Sequence, residues 1–481
     1  MPPSTPKTPS KYTRLLTNTA VFTVGKLLSK LMVFFMVSLY TACLTREEFS
    51  TAELITGIAN LIIPLACAGI TEGIFRSAAA KTGDKEAFFT NGLVVYGVGS
   101  AIFLALSPLL GLLPFFEGSL WLITTYVVVA NLHSVVSQYL CAVGRTKLFA
   151  GQGILNTAIV IALNILFLPI LGLGVTGYVG SIILADLATT VFLILVTRLW
   201  RSVKPRSISW EIIRTMLKFC LPLVPTTLFW WITGVSDRFM VERMCSADLN
   251  GLYTAAYKVP NLLIYAISIF DSAWKLSVSA EEDPKACASF YSRVWRVYTT
   301  LAFLGGGGLV ILSRFLAHIL FAAQFEAAWV YIPTLTFATV FTALCTFLGS
   351  VYFTSKKTVG SMLTALVGAV LNIALNLLLI PRYGAMGASA ATFASYFAVC
   401  ILRLVTARRL IPFKQEWGRV LVNTLLLGVL TVIITVSEQV PRHIGLMYGG
   451  AVAVFAVMLL FNVRPVIELL RDAKNLLTKR S

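Results

Sequence analysis

The chain has 481 residues, 57% of them hydrophobic and only 12% charged, with a mean hydropathy of +0.83. Soluble domains carry about 25% charged residues, so an ordinary soluble protein is excluded; the apolar residues fall in blocks of about 20, enough to cross a hydrocarbon core of about 30 Å. The net charge of +18 would suggest nucleic acid for a soluble chain, but in a membrane protein it reads as basic loops on one side of the bilayer, and no nucleic-acid partner is expected.

Residues 1–16 form a polar, basic tail. The apolar run after it is too long for a signal h-region and lacks a small-residue cleavage site, so it is read as the first span. About fourteen spans are predicted, at roughly 17–43, 51–75, 88–113, 119–143, 148–171, 174–197, 219–236, 250–274, 297–313, 328–353, 358–380, 385–407, 420–437 and 444–462. Helix is the conformation open to such runs, because lipid satisfies no backbone hydrogen bond; a barrel would need alternating strands, and these runs do not alternate.

With the N-terminus inside, the tails and even-numbered connections hold 30 Lys and Arg. The opposite connections hold six: Arg46, Arg238, Arg243, Arg314, Arg382 and Arg442. That asymmetry predicts both termini in the cytoplasm. The longest polar interruptions, 198–218 and 275–296, are too short to bury a core of their own, and no G-x-x-x-x-G-K-[ST] occurs. A single-chain ATP-driven pump is thereby excluded. The eight cysteines form no C-x-x-C pair and are read as small packing residues. The three histidines are scattered, and neither a metal nor another cofactor is implied.

An internal duplication is legible. Ile161-Ala-Leu-Asn164 precedes Pro169 and Gly172, and Ile373-Ala-Leu-Asn376 precedes Pro381 and Gly384, the same I-A-L-N-x4-P-x2-G spacing at an offset of 212. A weaker echo links Leu44–Ala52 to Cys245–Tyr253. Repeats of this kind build secondary transporters. The predicted organisation is a cytoplasmic tail (1–16), an N-lobe of spans 1–6 (17–198) and a basic cytoplasmic linker (199–218). A C-lobe of spans 7–12 (219–411), spans 13 and 14 (412–463) and an amphipathic tail on the inner leaflet (464–481) follow. The expected fold is therefore an all-α polytopic membrane protein, two six-helix lobes around a central cavity with two extra C-terminal helices.

Gly25-Lys-Leu-Leu-Ser-Lys30, Leu44-Thr-Arg-Glu-Glu-Phe-Ser50, Ser236-Asp-Arg-Phe-Met240, Gly251-Leu-Tyr-Thr-Ala-Ala-Tyr-Lys258 and Asn376-Leu-Leu-Leu-Ile-Pro-Arg-Tyr-Gly384 resemble the bacterial oligosaccharide flippases. These are polysaccharide biosynthesis proteins of the multidrug/oligosaccharidyl-lipid/polysaccharide exporter superfamily. The resemblance covers nearly the whole chain and implies a lipid-linked oligosaccharide substrate and alternating access between two lobes. It fixes no glycan, and peptidoglycan lipid flippases and drug antiporters share the superfamily.

Charges inside the membrane are costly and read as functional by default. Lys26 and Lys30 stand one turn apart, with Lys30 near the midplane of span 1; both read as cavity-lining, against the alternative of a structural partner to a carboxylate, and Lys258 in span 8 reads as a third cation of that kind. Arg76 at the end of span 2 reads either as a cavity-mouth residue or as the first inner-side loop charge, with Glu72 one turn earlier as a possible partner. Asp186 in span 6 and Asp271 near the end of span 8 are candidates for a coupling proton or sodium ion, as is Glu72, against the alternative of structural pairing. Asn60, Asn156, Asn164, Asn372 and Asn376 read as interhelical hydrogen-bond residues, with a sugar contact the alternative for Asn60. Asp237-Arg238 and Glu242-Arg243 read as a solvated ion-pair cluster, and Pro64, Pro222, Pro225 and Pro260 as helix kinks.

No nucleophile–base pair or paired-carboxylate signature occurs, so no enzyme is expected. The function read from these residues is translocation of a polyprenyl-pyrophosphate-linked oligosaccharide across the bacterial cytoplasmic membrane. Its expected partners are the bilayer and, beside the protein, glycosyltransferases or a glycan polymerase. The alternatives are a peptidoglycan-precursor flippase, an ion-coupled multidrug or cation antiporter, and a non-transporting scaffold.

Overall fold

The computed structural model describes residues 32–79, 83–111, 118–268, 284–355, 357–437, 443–465 and 467. Among them the structure is helical and contains no strand. Lys26, Lys30 and Asp271, and most of the predicted amphipathic tail, lie outside the described residues.

The helices are α1 (Met32–Cys43), α2 (Arg46–Ala66), α3 (Ile70–Ala79), α4 (Lys85–Leu110), α5 (Leu120–Ala142), α6 (Thr146–Ile165), α7 (Gly174–Thr197), α8 (Trp210–Cys220), α9 (Leu223–Met244) and α10 (Ala247–Lys258). They continue as α11 (261–268), α12 (Pro284–Ile311), α13 (Ser313–Leu320), α14 (Ile332–Thr354), α15 (Thr358–Leu410), α16 (Trp417–Val436) and α17 (Ile444–Phe461). Eleven helical segments among the described residues are long and apolar enough to cross a membrane. One of them, Val359–Leu410, holds both predicted spans 11 and 12. Predicted spans 1 and 8 each run into residues outside the described set.

Local sequence explains where helices start. Thr45 and Glu48 form a capping box on α2: the Thr45 N–H donates to Glu48 Oε2 at 2.8 Å, and the Glu48 N–H to Thr45 Oγ1 at 3.1 Å. Ser246 caps α10 by accepting from the Leu249 N–H at 3.1 Å. The two ends of the weaker repeat are thus both helix caps. In the stronger repeat, α6 runs into a π-turn at Leu166–Ile170 that contains Pro169. The matching stretch of α15 bends at Gly384, whose φ of 58° suits glycine.

The chain divides into two compact units. Among the described residues, the first comprises 32–36 and those within Ile55–Val224; the second comprises Val37–Leu54 and those from Pro225 onward. The end of α1 and the first half of α2 therefore pack with the later helices. The first unit is built on Ile70, Ile74, Phe89, Val135, Tyr139 and Met216, with Phe89 and Tyr139 stacked at 4.3 Å.

Two polar interruptions are more ordered than their sequence suggests. In 198–218 two short 3-10 turns lead into α8, which buries Ile213, Met216 and Cys220. The second half of 275–296 belongs to α12, with Tyr291 and Trp295 fully buried; Trp295 donates to the Gln415 carbonyl at 2.7 Å. The helices α16 and α17 are tied to α12 by a polar network. Arg419 bridges Glu416 (3.2 Å) and Asn462 (2.8 Å), and Arg296 pairs with Glu416 at 2.5 Å.

Candidate functional site

The polar cluster of the second unit lies where α2, α9 and α10 meet. Gly251 lets the backbones approach: a Cβ there would lie 2.1 Å from the Arg46 carbonyl oxygen. Three positions of α2, spaced at i, i+4 and i+7 and so on one face, meet partners about 200 residues away. Arg46 pairs with Asp248 at 3.0 Å and donates to the Gln324 carbonyl at 2.6 Å. Ser50 donates to Glu242, while Asn250 donates to Ser50 at 2.7 Å and to Glu242 at 3.2 Å. Glu53, 8% exposed, accepts from Lys258 Nζ at 2.7 Å and stands 3.8 Å from Arg238.

Lys258 is therefore an ion-pair partner of a buried carboxylate. Two cations share the Glu53 carboxylate, which leaves the Glu53–Lys258–Arg238 trio at a formal +1. Arg238 also lies over the Tyr257 ring at 4.6 Å, and its buried Nε has no hydrogen-bond acceptor among the described residues.

Asp237, one residue before Arg238, is fully buried. Its Oδ2 accepts from Tyr253 and Tyr257 at 2.7 Å each and from Thr392 at 3.1 Å. The network continues through Asn372, which donates to Thr392 at 3.5 Å and accepts from Ser236 at 3.2 Å and Asn376 at 3.0 Å. The expectation of a solvated cluster at Asp237 is overturned: three hydroxyls replace water around the carboxylate. Arg403, within predicted span 12, is also buried, at 1% exposure. It donates to the Cys345 carbonyl at 2.7 Å and to Thr364 at 2.9 Å, with its guanidinium over Trp230 at 4.8 Å.

In the first unit, Asp186 on α7 accepts from Asn156 of α6 at 2.8 Å. His133 of α5 stands 3.2 Å from Thr190, one turn beyond Asp186. Asp186 is thus hydrogen-bonded within a three-helix polar cluster. Arg76 is exposed and lies over Phe219 at 4.0 Å; Glu72 is exposed too, and the two form no ion pair among the described residues. Asn60 is exposed on α2. Among the described candidates, the structure joins Lys258 to a cluster and leaves Arg76, Glu72 and Asn60 outside it. Glu53 escaped notice in the sequence, although a carboxylate within an apolar run is itself a signal.

Two family models match the chain: polysaccharide biosynthesis protein over residues 15–274, and lipid II flippase MurJ over residues 275–448. No curated protein matches it. Among solved structures it is similar to an inward-facing multidrug resistance MATE family transporter of the MOP superfamily. That likeness has a TM-score of 0.69 at 14% identity, over 80% of this chain and 94% of the other. Similarity to the lipid II flippase MurJ in an inward closed conformation has a TM-score of 0.63 at 14% identity, over 93% and 100% of the two chains. A MOP superfamily transporter from Pyrococcus furiosus gives 0.62 at 14%, over 82% and 95%. The chain is a multi-pass helical membrane protein with the fold of these solved transporters, and the matched families and structures are transporters and flippases rather than enzymes.

Proposed function

Because this chain belongs to the polysaccharide biosynthesis protein family, we propose that it is a flippase moving a polyprenyl-pyrophosphate-linked oligosaccharide across the bacterial cytoplasmic membrane. The proposed mechanism is alternating access, with both termini in the cytoplasm and with glycosyltransferases or a glycan polymerase as partners. The observation that carries the reading is that two cations share a single carboxylate in the polar cluster of the second unit. Lys258 and Arg238 share Glu53, and Lys26 and Lys30 add two more cations by sequence. A lipid pyrophosphate is an anionic, hydrated head that needs cationic, polar surroundings, while its tail stays in lipid. Lys26, Lys30 and Lys258 attract the head in this reading; Arg76 and Asn60 serve at the edges of the path. Asp186 and Glu72 are the described carboxylates proposed to take a coupling proton or sodium, and Asp271 is a further candidate. A drug or cation antiporter would instead favour carboxylates in its cavity.

The match of residues 275–448 to the MurJ model favours a second reading, a peptidoglycan lipid-precursor flippase. Proteoliposomes holding purified protein and a fluorescent lipid test both. Movement of a polyprenyl-pyrophosphate oligosaccharide but not of a peptidoglycan precursor supports the first reading; the reverse supports the second. Movement of neither, in protein that folds, refutes both. In the same assay Lys30→Ala should slow transport, Lys30→Arg should retain part of it, and Lys30→Glu should be worse than Ala, since it repels the anion as well.

A further inference from the structure

The stretch between α7 and α8 is strapped to the start of α4. Thr90 accepts from the Lys204 N–H at 2.9 Å. Asn91, fully buried, donates to the Ser207 carbonyl and accepts from the Ser209 N–H, each at 2.9 Å. Lys204 is 2.6 Å from Glu86 and 3.7 Å from Asp84, so its charge is compensated. The strap is therefore a fixed frame, and what it presents outward is defined.

It presents indoles and bare cations. Trp200 and Trp210 are 51% and 72% exposed. Arg201, Arg206 and Arg214 are exposed, and none has a carboxylate at ion-pair distance among the described residues. On α8 the buried residues are Ile213, Met216 and Cys220. Trp210, Arg214 and Lys218, spaced at i, i+4 and i+8, form the opposite stripe. Glu211 is the one acidic residue in 198–218.

Both ends of the strap continue into apolar helices, Gly174–Thr197 and Trp210–Met244, which holds it at a membrane surface. Indole rings favour headgroup depth, and guanidinium groups bind phosphate oxygens in bidentate fashion. We propose that residues 198–218 form a platform for anionic phospholipid headgroups, with Trp200 and Trp210 seated among them and Arg201, Arg206 and Arg214 on the phosphates. A lipid surface suits this face better than an acidic soluble protein, because the exposed indoles lie beside the cations on a frame anchored by membrane helices. The proposal concerns one unit alone and holds whatever the chain transports.

The test uses the full chain in nanodiscs of phosphatidylcholine mixed with phosphatidylglycerol. Native mass spectrometry should show preferential retention of phosphatidylglycerol, weakened roughly five-fold for each of Arg201→Gln, Arg206→Gln and Arg214→Gln. Brominated phosphatidylglycerol should quench tryptophan fluorescence more than brominated phosphatidylcholine does, and the excess should vanish in a variant with Trp200→Phe and Trp210→Phe. A variant combining the three arginine changes should lose the preference altogether; if it misfolds, wild-type protein at high salt replaces it, because screening should remove the same preference. Unchanged phosphatidylglycerol retention in the folded triple variant, or in wild type at high salt, overturns the proposal. So does equal quenching by the two brominated lipids, the outcome expected if this face binds an acidic protein instead.

Discussion

Lys258 Nζ donates to the Glu53 carboxylate at 2.7 Å across 205 residues of sequence, joining the C-terminal end of α10 to the middle of α2. Arg238 completes the group at 3.8 Å. Removing the shared carboxylate leaves two part-buried cations facing each other. Glu53→Gln should therefore destabilise the protein by about 3 kcal/mol, and combining it with Lys258→Met should recover part of that loss. Thermal unfolding in detergent across this double-mutant cycle measures the coupling. Additive losses would mean that the pair contributes nothing of its own.

Asp237 makes a second prediction. Its Oδ2 receives three hydroxyl donors in a fully buried setting. Asp237→Asn keeps the shape but lowers the charge and puts an NH2 group beside phenol donors, so a loss of about 1–3 kcal/mol is expected. Tyr253→Phe and Tyr257→Phe should each cost less, about 1 kcal/mol, since the carboxylate keeps two donors. A stabilised Asp237→Asn protein would contradict the arrangement.

How much of this was legible in the sequence depends on how local the signal is. Apolar runs, caps and the I-A-L-N-x4-P-x2-G repeat are local, and the helices α4 to α7 and α14 to α17 lie close to their predicted spans. Burial of a charge is not local. Asp237 sits in a polar stretch that reads as a helix end, and its burial follows from Tyr253, Tyr257 and Thr392, the last 155 residues away. Arg403 lies near the end of predicted span 12, six residues from Arg409, and nothing local to it announces Thr364 and the Cys345 carbonyl, which enclose it. Pro222 and Pro260, read as kinks inside spans, stand at two-residue turns between α8 and α9 and between α10 and α11, and Trp210–Met244 remains one apolar segment across the first of them.

The strap on α4 has a pH dependence with a definite sign. Slight burial works against the Asp84 carboxylate, but the Ala87 and Glu86 N–H groups and Lys204 outweigh it and hold the carboxyl below its usual range. The bond to Glu86, then the charge of Asp84, raises the Lys204 ammonium above its usual range. A depressed acid stabilises the folded form above its unfolded pKa of about 3.9 and loses that contribution as pH falls through its folded value. A raised amine stabilises below about 10.4 and loses its contribution as pH rises through its folded value. The strap should therefore hold across neutral pH and loosen at both extremes. Hydrogen exchange at the Lys204 and Ser209 amides should show this, and Lys204→Gln should flatten the alkaline limb.

The close approach of α2 and α10 gives the sharpest contrast between two glycines. A methyl at Gly251 would stand 2.1 Å from the Arg46 carbonyl oxygen and 2.7 Å from its carbon. Both are backbone atoms, so no side chain can swing aside. Gly251→Ala must push the helices apart, at about 1–3 kcal/mol or more, and should stretch the Arg46–Asp248 and Asn250–Ser50 contacts together. At Gly97, within α4, a methyl meets nothing within 4 Å. Gly97→Ala should instead be neutral or stabilise by about 0.4–1 kcal/mol, because the helical backbone accepts alanine and the unfolded chain loses freedom. Thermal unfolding of the two variants separates them. A cycle with Arg46→Ala adds the mechanism: once Arg46 no longer holds Asp248, the displacement forced by Gly251→Ala has less left to break, so the double variant should lose less than the two single losses combined. Equal unfolding of Gly251→Ala and Gly97→Ala would mean that α2 and α10 do not touch in this way.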